Sequence, residues 1–259
     1  EAAAQWYLRV LELEPDSSEA YGDLRELYAG QEDWGAVDAL LEERYAVLQN
    51  PTAQSMVALE GARVAQGHGA DVDRVIHWIE RALLTGADDG TLGEMAETLI
   101  EAGAPAEALI EVWTGAVEAF GEGPGAIPAL VRLGRWHQHD LATGFEFVDR
   151  ALAIDGEDSS ALDLELELGR VGGDRPRMVR ALGRLALSAS GPVRVERLRE
   201  RARLVEEGRD LEASVEAWNA VLSVSADEAE AIDALVNLTR TLGEAGELER
   251  LLERKAGLG

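Results

Sequence analysis

The chain has 259 residues, of which 46% are hydrophobic and 29% charged, and its formal net charge at pH 7 is −26. This composition is typical of an ordered, globular protein, and the length suffices for a continuous core. The negative charge repels nucleic-acid phosphates and anionic membrane surfaces, so neither is expected as a partner. The sequence has no run of eighteen apolar residues, so no membrane-spanning helix is predicted. The absence of cysteine excludes disulfides but does not indicate the cellular compartment.

The charge is distributed unevenly along the chain. Residues 1–125 hold 6 basic and 25 acidic side chains, whereas residues 126–259 hold 18 and 25. The net charges of these halves are therefore −19 and −7. An acidic partner is expected to prefer the second half, because the weaker negative charge there repels it less.

The predicted secondary structure is helical throughout, since apolar residues recur at helical spacing and alternating β-branched runs are missing. The first element is an amphipathic helix, EAAAQWYLRVLELE, that runs into Pro15. Further helices follow, separated by short breaks rich in Gly, Asp or Pro. In chain order the breaks are AGQED, QGHGAD, TGADDG, EAGAP, GEGPG, IDGED, VGGD, EEGRD and LGEAGE.

Every second break precedes a similar helix, which indicates an internal repeat of two helices per unit. These recurring helices are predicted to begin at residues 33, 71, 105, 140, 174, 210 and 246, so successive starts lie 34 to 38 residues apart. In chain order they are DWGAVDALLEERYAVL, DVDRVIHWIERALL, PAEALIEVWTGAVEAF, DLATGFEFVDRALAID, DRPRMVRALGRLAL, DLEASVEAWNAVLSV and GELERLLERKAG.

A period near 34 residues with two helices per unit resembles the tetratricopeptide repeat (TPR) family. That family places a small residue on its second helix, an aromatic one four residues later and a small one three residues after that. Ser214, Trp218 and Val221 match these positions. Equivalent sets on second helices are Gly144, Val148, Ala151, Leu152 and Val75, Ile79, Ala82, Leu83, and on first helices Leu92, Met95, Ala96, Leu99 and Leu130, Leu133, Gly134, His137.

The resemblance implies an all-α fold, a right-handed α-solenoid of antiparallel helix–turn–helix (TPR-like) repeats that forms a single domain over residues 1–259. The expected units are about 16–51, 52–86, 87–121, 122–156, 157–190 and 191–226, with partial units at 1–15 and 227–259. Because both ends read as half-repeats without a polar cap, the chain is expected to be a segment of a longer array.

The histidines offer weak evidence for a metal site. His137 and His139 are two residues apart, which on a helix directs them to nearly opposite sides, and only Asp140 is available beside them. No metal is therefore predicted, and His137 is interpreted as a packing residue of its repeat.

No motif predicts catalysis or a cofactor. GEGPG at residues 121–125 lacks the Lys-Ser/Thr of a phosphate-binding loop and is interpreted as a helix stop followed by a turn. The chain contains no G-x-S-x-G, H-E-x-x-H or DxDxDG pattern. The expectation is a protein that is not an enzyme and binds no cofactor.

One helix, VRVERLRERARLVEEG, is rich in arginine and has two interpretations. It is either a solvated face with local Glu196–Arg199 and Arg203–Glu207 pairs, or a patch that binds carboxylates or phosphate. Its predicted buried stripe is Val195, Leu198, Ala202 and Val205, and its arginines are Arg194, Arg197, Arg199, Arg201 and Arg203.

The resemblance also implies that the first helices line a concave, ligand-binding face. The corresponding residues in the early and middle units are acidic: Glu19, Asp23, Glu26, Glu94 and Glu97. Those in the later units are Arg132, Arg135, Gln138, Arg199, Arg203, Asn237 and Arg240. The Lys and Asn clamp with which family members hold a C-terminal carboxylate is not reproduced.

These features predict a protein-interaction scaffold that binds an extended peptide or a helix of a partner along the concave face, with an acidic partner segment toward the C-terminal half. Two alternatives remain. The uncapped ends would allow head-to-tail self-association, or the segment would be a sensor within a larger multidomain protein.

Overall fold

The structure, a computed structural model, describes residues 2–87 and 89–257. Within these ranges it is all α-helical, without a strand, as predicted. No helix of the described part combines the length and the apolar character that crossing a membrane requires. The helices are α1 Ala2–Leu13, α2 Ser18–Gly30, α3 Trp34–Val47, α4 Pro51–Gly67, α5 Val72–Leu84, α6 Asp89–Glu101, α7 Ala106–Phe120, α8 Ile127–Trp136, α9 Leu141–Ile154, α10 Ser159–Gly172, α11 Arg175–Ser188, α12 Gly191–Glu207, α13 Leu211–Val224, α14 Ala229–Leu242 and α15 Ala245–Ala256.

Each second helix of a repeat begins within one residue of the position that the sequence predicts. Four of them start at an aspartate whose side chain accepts the N–H of the third residue beyond it, which satisfies a backbone donor that has no partner inside the helix. These N-caps are Asp33, Asp140, Asp174 and Asp210, with N···O distances of 3.0, 3.4, 3.1 and 3.0 Å.

The GEGPG segment stops a helix, as expected. Gly121 has a φ of 58° and lies directly after α7, a backbone conformation that glycine adopts without strain. A short 3₁₀ turn, Pro124–Ala126, then leads into α8. The glycines therefore serve the backbone geometry of a turn.

The chain divides into two compact units, one ending at Leu133 and the other beginning at Gly134. In the first unit α1 packs on α2, α2 on α3, α3 on α4, α4 on α5, and α5 on both α6 and α7. In the second unit each helix from α9 to α15 packs on the next. Contacts between successive helices are the hallmark of a helical-hairpin repeat, in which each hairpin is stabilised by its neighbours.

The core of the first unit is built on close contact between a glycine and a tryptophan. Trp78 on α5 is fully buried, and a Cβ added to Gly61 on α4 would lie 2.4 Å from its Cδ2 atom. The indole N–H donates to Asp38 Oδ1 at 2.8 Å, so the buried polar atom is satisfied. Small and large residues thus interlock here, as the repeat pattern predicts.

The second unit also contains a core cluster with a buried tryptophan, Trp218 on α13. The predicted packing residues Ser214, Trp218 and Val221 are all buried on α13. The Trp218 indole donates to Glu206 at 2.9 Å. On the arginine-rich helix α12, Ala202 is buried, whereas Val195, Leu198 and Val205 are half-buried against the same core.

Substituting Gly61 by Ala tests the close contact. The new methyl group would overlap the Trp78 ring, and we expect a loss of roughly 1–3 kcal/mol in the free energy of unfolding. The control is Gly22→Ala on α2, where an added Cβ meets no atom within 4 Å. That change should stabilise the protein by up to about 1 kcal/mol through helix propensity. Urea unfolding followed by circular dichroism compares the two, and equal midpoints would contradict the packing account.

Candidate functional site

The seven residues that the sequence predicts for ligand binding lie in different surroundings. Arg132 belongs to the first unit and the other six to the second. The guanidinium of Arg132 is buried, with the residue 9% exposed, and donates to Glu97 Oε1 at 3.0 Å and to Asp89 Oδ2 at 3.2 Å. Its charge is therefore matched by two carboxylates of its own chain.

A fitted cage surrounds Arg132. A Cβ added to Gly93 on α6 would lie 2.1 Å from the Arg132 Cζ atom, so only glycine leaves room for the guanidinium. The second oxygen of Asp89 accepts the indole N–H of Trp113 at 2.8 Å. These contacts join α6, α7 and α8 through one half-buried carboxylate, which gives Arg132 a packing role.

Arg199 and Arg203 are the two predicted residues that the structure brings together. Arg203 donates from Nε and Nη2 to the two oxygens of Glu230, each at 2.6 Å, a bidentate geometry. Arg199 donates to Glu228 at 3.1 Å, and its Nε lies 3.4 Å from Glu230. Both arginines on α12 are thus tied to α14.

The local pairs predicted for α12 were right in one case. Arg199 donates to Glu196, as expected. Arg203 bonds instead with Glu230, and Glu207 lies 3.5 Å from Arg175. Arg203 is thus paired with a carboxylate of the next repeat and not with one on its own helix.

The remaining predicted residues are more accessible. Arg135 is exposed and lies 3.6 Å from Glu167. Gln138 is exposed in the turn after α8. Asn237 and Arg240 are exposed on α14, three residues apart and so on one side of the helix.

Together these contacts reveal a feature that sequence reasoning missed: first helices of successive repeats are joined by ion pairs. The partners lie 27 to 35 residues apart, about one repeat. A search for opposite charges at that separation would have found them. The pairs are Arg25–Glu60, Arg132–Glu97, Arg197–Asp163 and Arg203–Glu230.

Contacts with arginine also lower the pKa values of two carboxyl groups, those of Glu230 and Asp149. The hydrogen bonds from Arg203 hold the pKa of Glu230 below its usual range, although partial burial acts in the opposite direction. In the same way Arg177, which bonds both oxygens of Asp149 at 2.7 and 2.9 Å, lowers the pKa of that carboxyl. Both carboxylates therefore stay ionised because an arginine of another helix faces them.

The acidic residues predicted for the early first helices are exposed. Glu19, Asp23 and Glu26 follow one another at helical spacing on α2, while Ala20 and Leu24 on the same helix are buried. Glu94 and Glu97 are exposed on α6. The first unit therefore presents carboxylates on the exposed side of its first helices.

Sequence reasoning also missed a cavity of about 210 Å³ in the first unit, between α3, α4 and α5. Its aromatic wall is Trp34, whose ring stacks on His68 with 3.2 Å between centroids and 12° between planes. The sequence signal is a tryptophan directly after the N-cap of a second helix. Later repeats have smaller or charged residues there: Val72, Ala106, Leu141, Arg175 and Leu211. The cavity is lined by Trp34, Gly35, Asp38, Val64, Ala65, His68, Ala70 and Arg74.

Among the described residues, no group of three or more His, Asp or Glu side chains is placed to hold a metal ion. His137, in the turn after α8, lies next to Phe147 on α9, with 5.4 Å between ring centroids, and so contributes to packing against α9. His139 is exposed in the turn that follows α8.

No protein-family model and no curated protein matches the chain. Among solved structures, the C-terminal part of a TPR repeat-containing protein from Cytophaga hutchinsonii is similar, with 14% identity and a TM-score of 0.46 over 90% of this chain and 93% of that one. Yeast Tom70 has 12% identity and a TM-score of 0.32 over 93% and 55%. The human IFIT1 dimer with PPP-AAAA has 13% identity and a TM-score of 0.37 over 98% and 67%.

The chain is a TPR-like helical-repeat protein. Its own residues define this architecture, through the period, the hairpins of successive helices and the small–large contacts between them. Such a protein presents a scaffold of side chains on rigid helices.

Arg132 and Arg135 allow a matched test of buried and exposed ion pairs. Arg132→Met leaves Asp89 without its charge partner in a largely buried place, and we expect a loss of about 3 kcal/mol of unfolding free energy. Arg135→Met removes an exposed pair and should cost less than about 1 kcal/mol. Equal effects in chemical unfolding would show that the cage around Arg132 contributes nothing specific.

The lowered pKa of Glu230 predicts a pH effect. A carboxyl whose pKa is lower in the folded state stabilises the fold above its unfolded pKa, roughly 4.3, and this contribution is lost as the pH falls through the folded value. Glu230→Gln should therefore lose less stability than the unmodified protein between about pH 5 and pH 3. Glu216→Gln, at an exposed site on α13, is the control. Thermal unfolding across this range measures the slopes, and parallel curves for Glu230→Gln and the unmodified protein would refute the linkage.

Proposed function

We propose that this chain is a protein-interaction scaffold that binds an extended peptide or a helix of a partner along the exposed side of its first helices. The observation that carries the proposal is that α2 has one buried, apolar side and one exposed, acidic side. Ala20, Tyr21 and Leu24 are buried, while Glu19 and Asp23 face outward with Glu26. Rigid helices that offer ordered side chains in this way suit recognition of a partner segment.

The first unit favours a basic partner segment. Residues 1–125 hold 25 acidic and 6 basic side chains, so a positively charged segment is attracted and an acidic one repelled. An apolar anchor is also present, because Met56 on α4 is 69% exposed. Arg25 on α2 pairs with Glu60 on α4 and holds these two helices in register.

In the second unit, Asn237 and Arg240 are exposed on α14, and we assign partner binding to them. An acidic partner segment that reached Arg203 would have to displace Glu230 from a bidentate contact. Exchanging one carboxylate for another gains little energy, because the guanidinium is already satisfied. Recognition in this unit is therefore assigned chiefly to the exposed side chains of α14.

Charge reversal on α2 tests the proposal. A displayed library of random peptides is selected against the protein, and the peptides that bind are measured on the variant E19K/D23K/E26K. Because attraction to the carboxylates is replaced by repulsion, we expect affinity to fall about tenfold or more at low salt.

The control for this test is E107K/E111K/E118K, which makes the same change in net charge on exposed positions of α7, a second helix. The proposal requires that this variant keep most of the affinity. Equal losses in both variants would reduce the effect to net charge alone, and unchanged affinity in the α2 variant would refute binding on this face.

A further inference from the structure

We propose that the cavity between α3, α4 and α5 is an anchor pocket that takes one aliphatic or aromatic side chain from a positively charged peptide segment of a partner. The inference rests on the proposed scaffold function but places a contact on another surface. The pocket lies beside the turn between α4 and α5, where His68 and Ala70 line it, rather than on the exposed side of the first helices.

The size of the cavity fits a single side chain. Its volume of about 210 Å³ is below the ~300–1,000 Å³ that is usual for small-molecule sites. Its walls include the Trp34 ring and the aliphatic side chains of Val64 and Ala65. An apolar side chain that enters gains the burial of its own surface and of this lining.

The cavity is a local departure from the repeat. In the second unit, Leu141 takes the place of Trp34, and a Cβ added to Gly172 would lie 2.9 Å from its Cδ1 atom, so that contact is closed. Trp34 instead stacks on His68, the C-cap residue of α4. At Gly35, which lines the cavity, an added Cβ would meet only Asp33 Oδ1, at 3.7 Å, so this side has room.

The charges around the cavity favour a basic segment. Arg74 is the cation among the lining residues, and its Nε donates to Asp38 at 3.0 Å while its Nη2 also reaches Glu42. Its charge is thus matched inside the chain, which removes the attraction for an incoming carboxylate or phosphate. The residues next to the lining segments are exposed and acidic: Glu32, Asp33, Asp71 and Asp73.

A larger side chain at Gly35, which lines the cavity, tests whether a partner side chain enters it. A displayed library of random peptides of roughly twelve residues is selected against the full chain, and enriched peptides are synthesised. We expect peptides with net positive charge and one recurring aliphatic or aromatic position. Gly35→Leu places a side chain in the cavity and should lower their affinity about tenfold or more, whereas the fold should persist because leucine has the higher helix propensity.

The matched control is Gly115→Leu on α7, an exposed helical position where an added Cβ meets no atom within 4 Å. It should leave affinity unchanged, and circular dichroism should show both variants folded. Acidic peptides, or peptides whose affinity survives Gly35→Leu, would overturn the pocket. Peptides that keep their affinity for the Gly35→Leu variant but lose it for E19K/D23K/E26K would overturn the pocket proposal and support the scaffold proposal. A library without any specific binder would overturn both.

Discussion

The structure depends on one kind of contact, the entry of a large side chain on one helix into the space left by a small residue on its neighbour. At Gly61 and Trp78 this contact brings α4 against α5, and the indole N–H finds Asp38 at the edge of the core. Interiors packed at this density tolerate little change in volume. Since each hairpin buries its apolar surface only against the next, the close approach is a condition for the whole stack.

This dependence explains which features could be predicted from the sequence. The helices and their starts follow from local signals, such as the capping role of Asp140 and the stop at Gly121. The buried positions follow from the period, because residues at the same position of different repeats, such as Val148 and Trp218, are both buried. Local rules suffice where every unit solves the same packing problem.

The functional residues were harder to predict for a physical reason. Whether Arg132 or Arg203 meets a partner protein or its own chain depends on a carboxylate in the neighbouring repeat, and helical spacing on one element carries no information about it. The cavity beside Trp34 was missed because it occurs where one repeat differs from the others, and a consensus hides such differences. What distinguishes the units from one another is the better guide to binding.

The ion pairs between first helices make neighbouring repeats non-equivalent. Arg25 on α2 pairs with Glu60 on the following first helix, α4. Arg203 on α12 pairs in the same way with Glu230 on α14. Between α10 and α12 the polarity is reversed, with Asp163 facing Arg197. The order of the charges therefore differs from one pair of neighbouring hairpins to the next. Exchanging repeats would separate these arginines from their carboxylates, so the ion pairs favour one linear order of the hairpins.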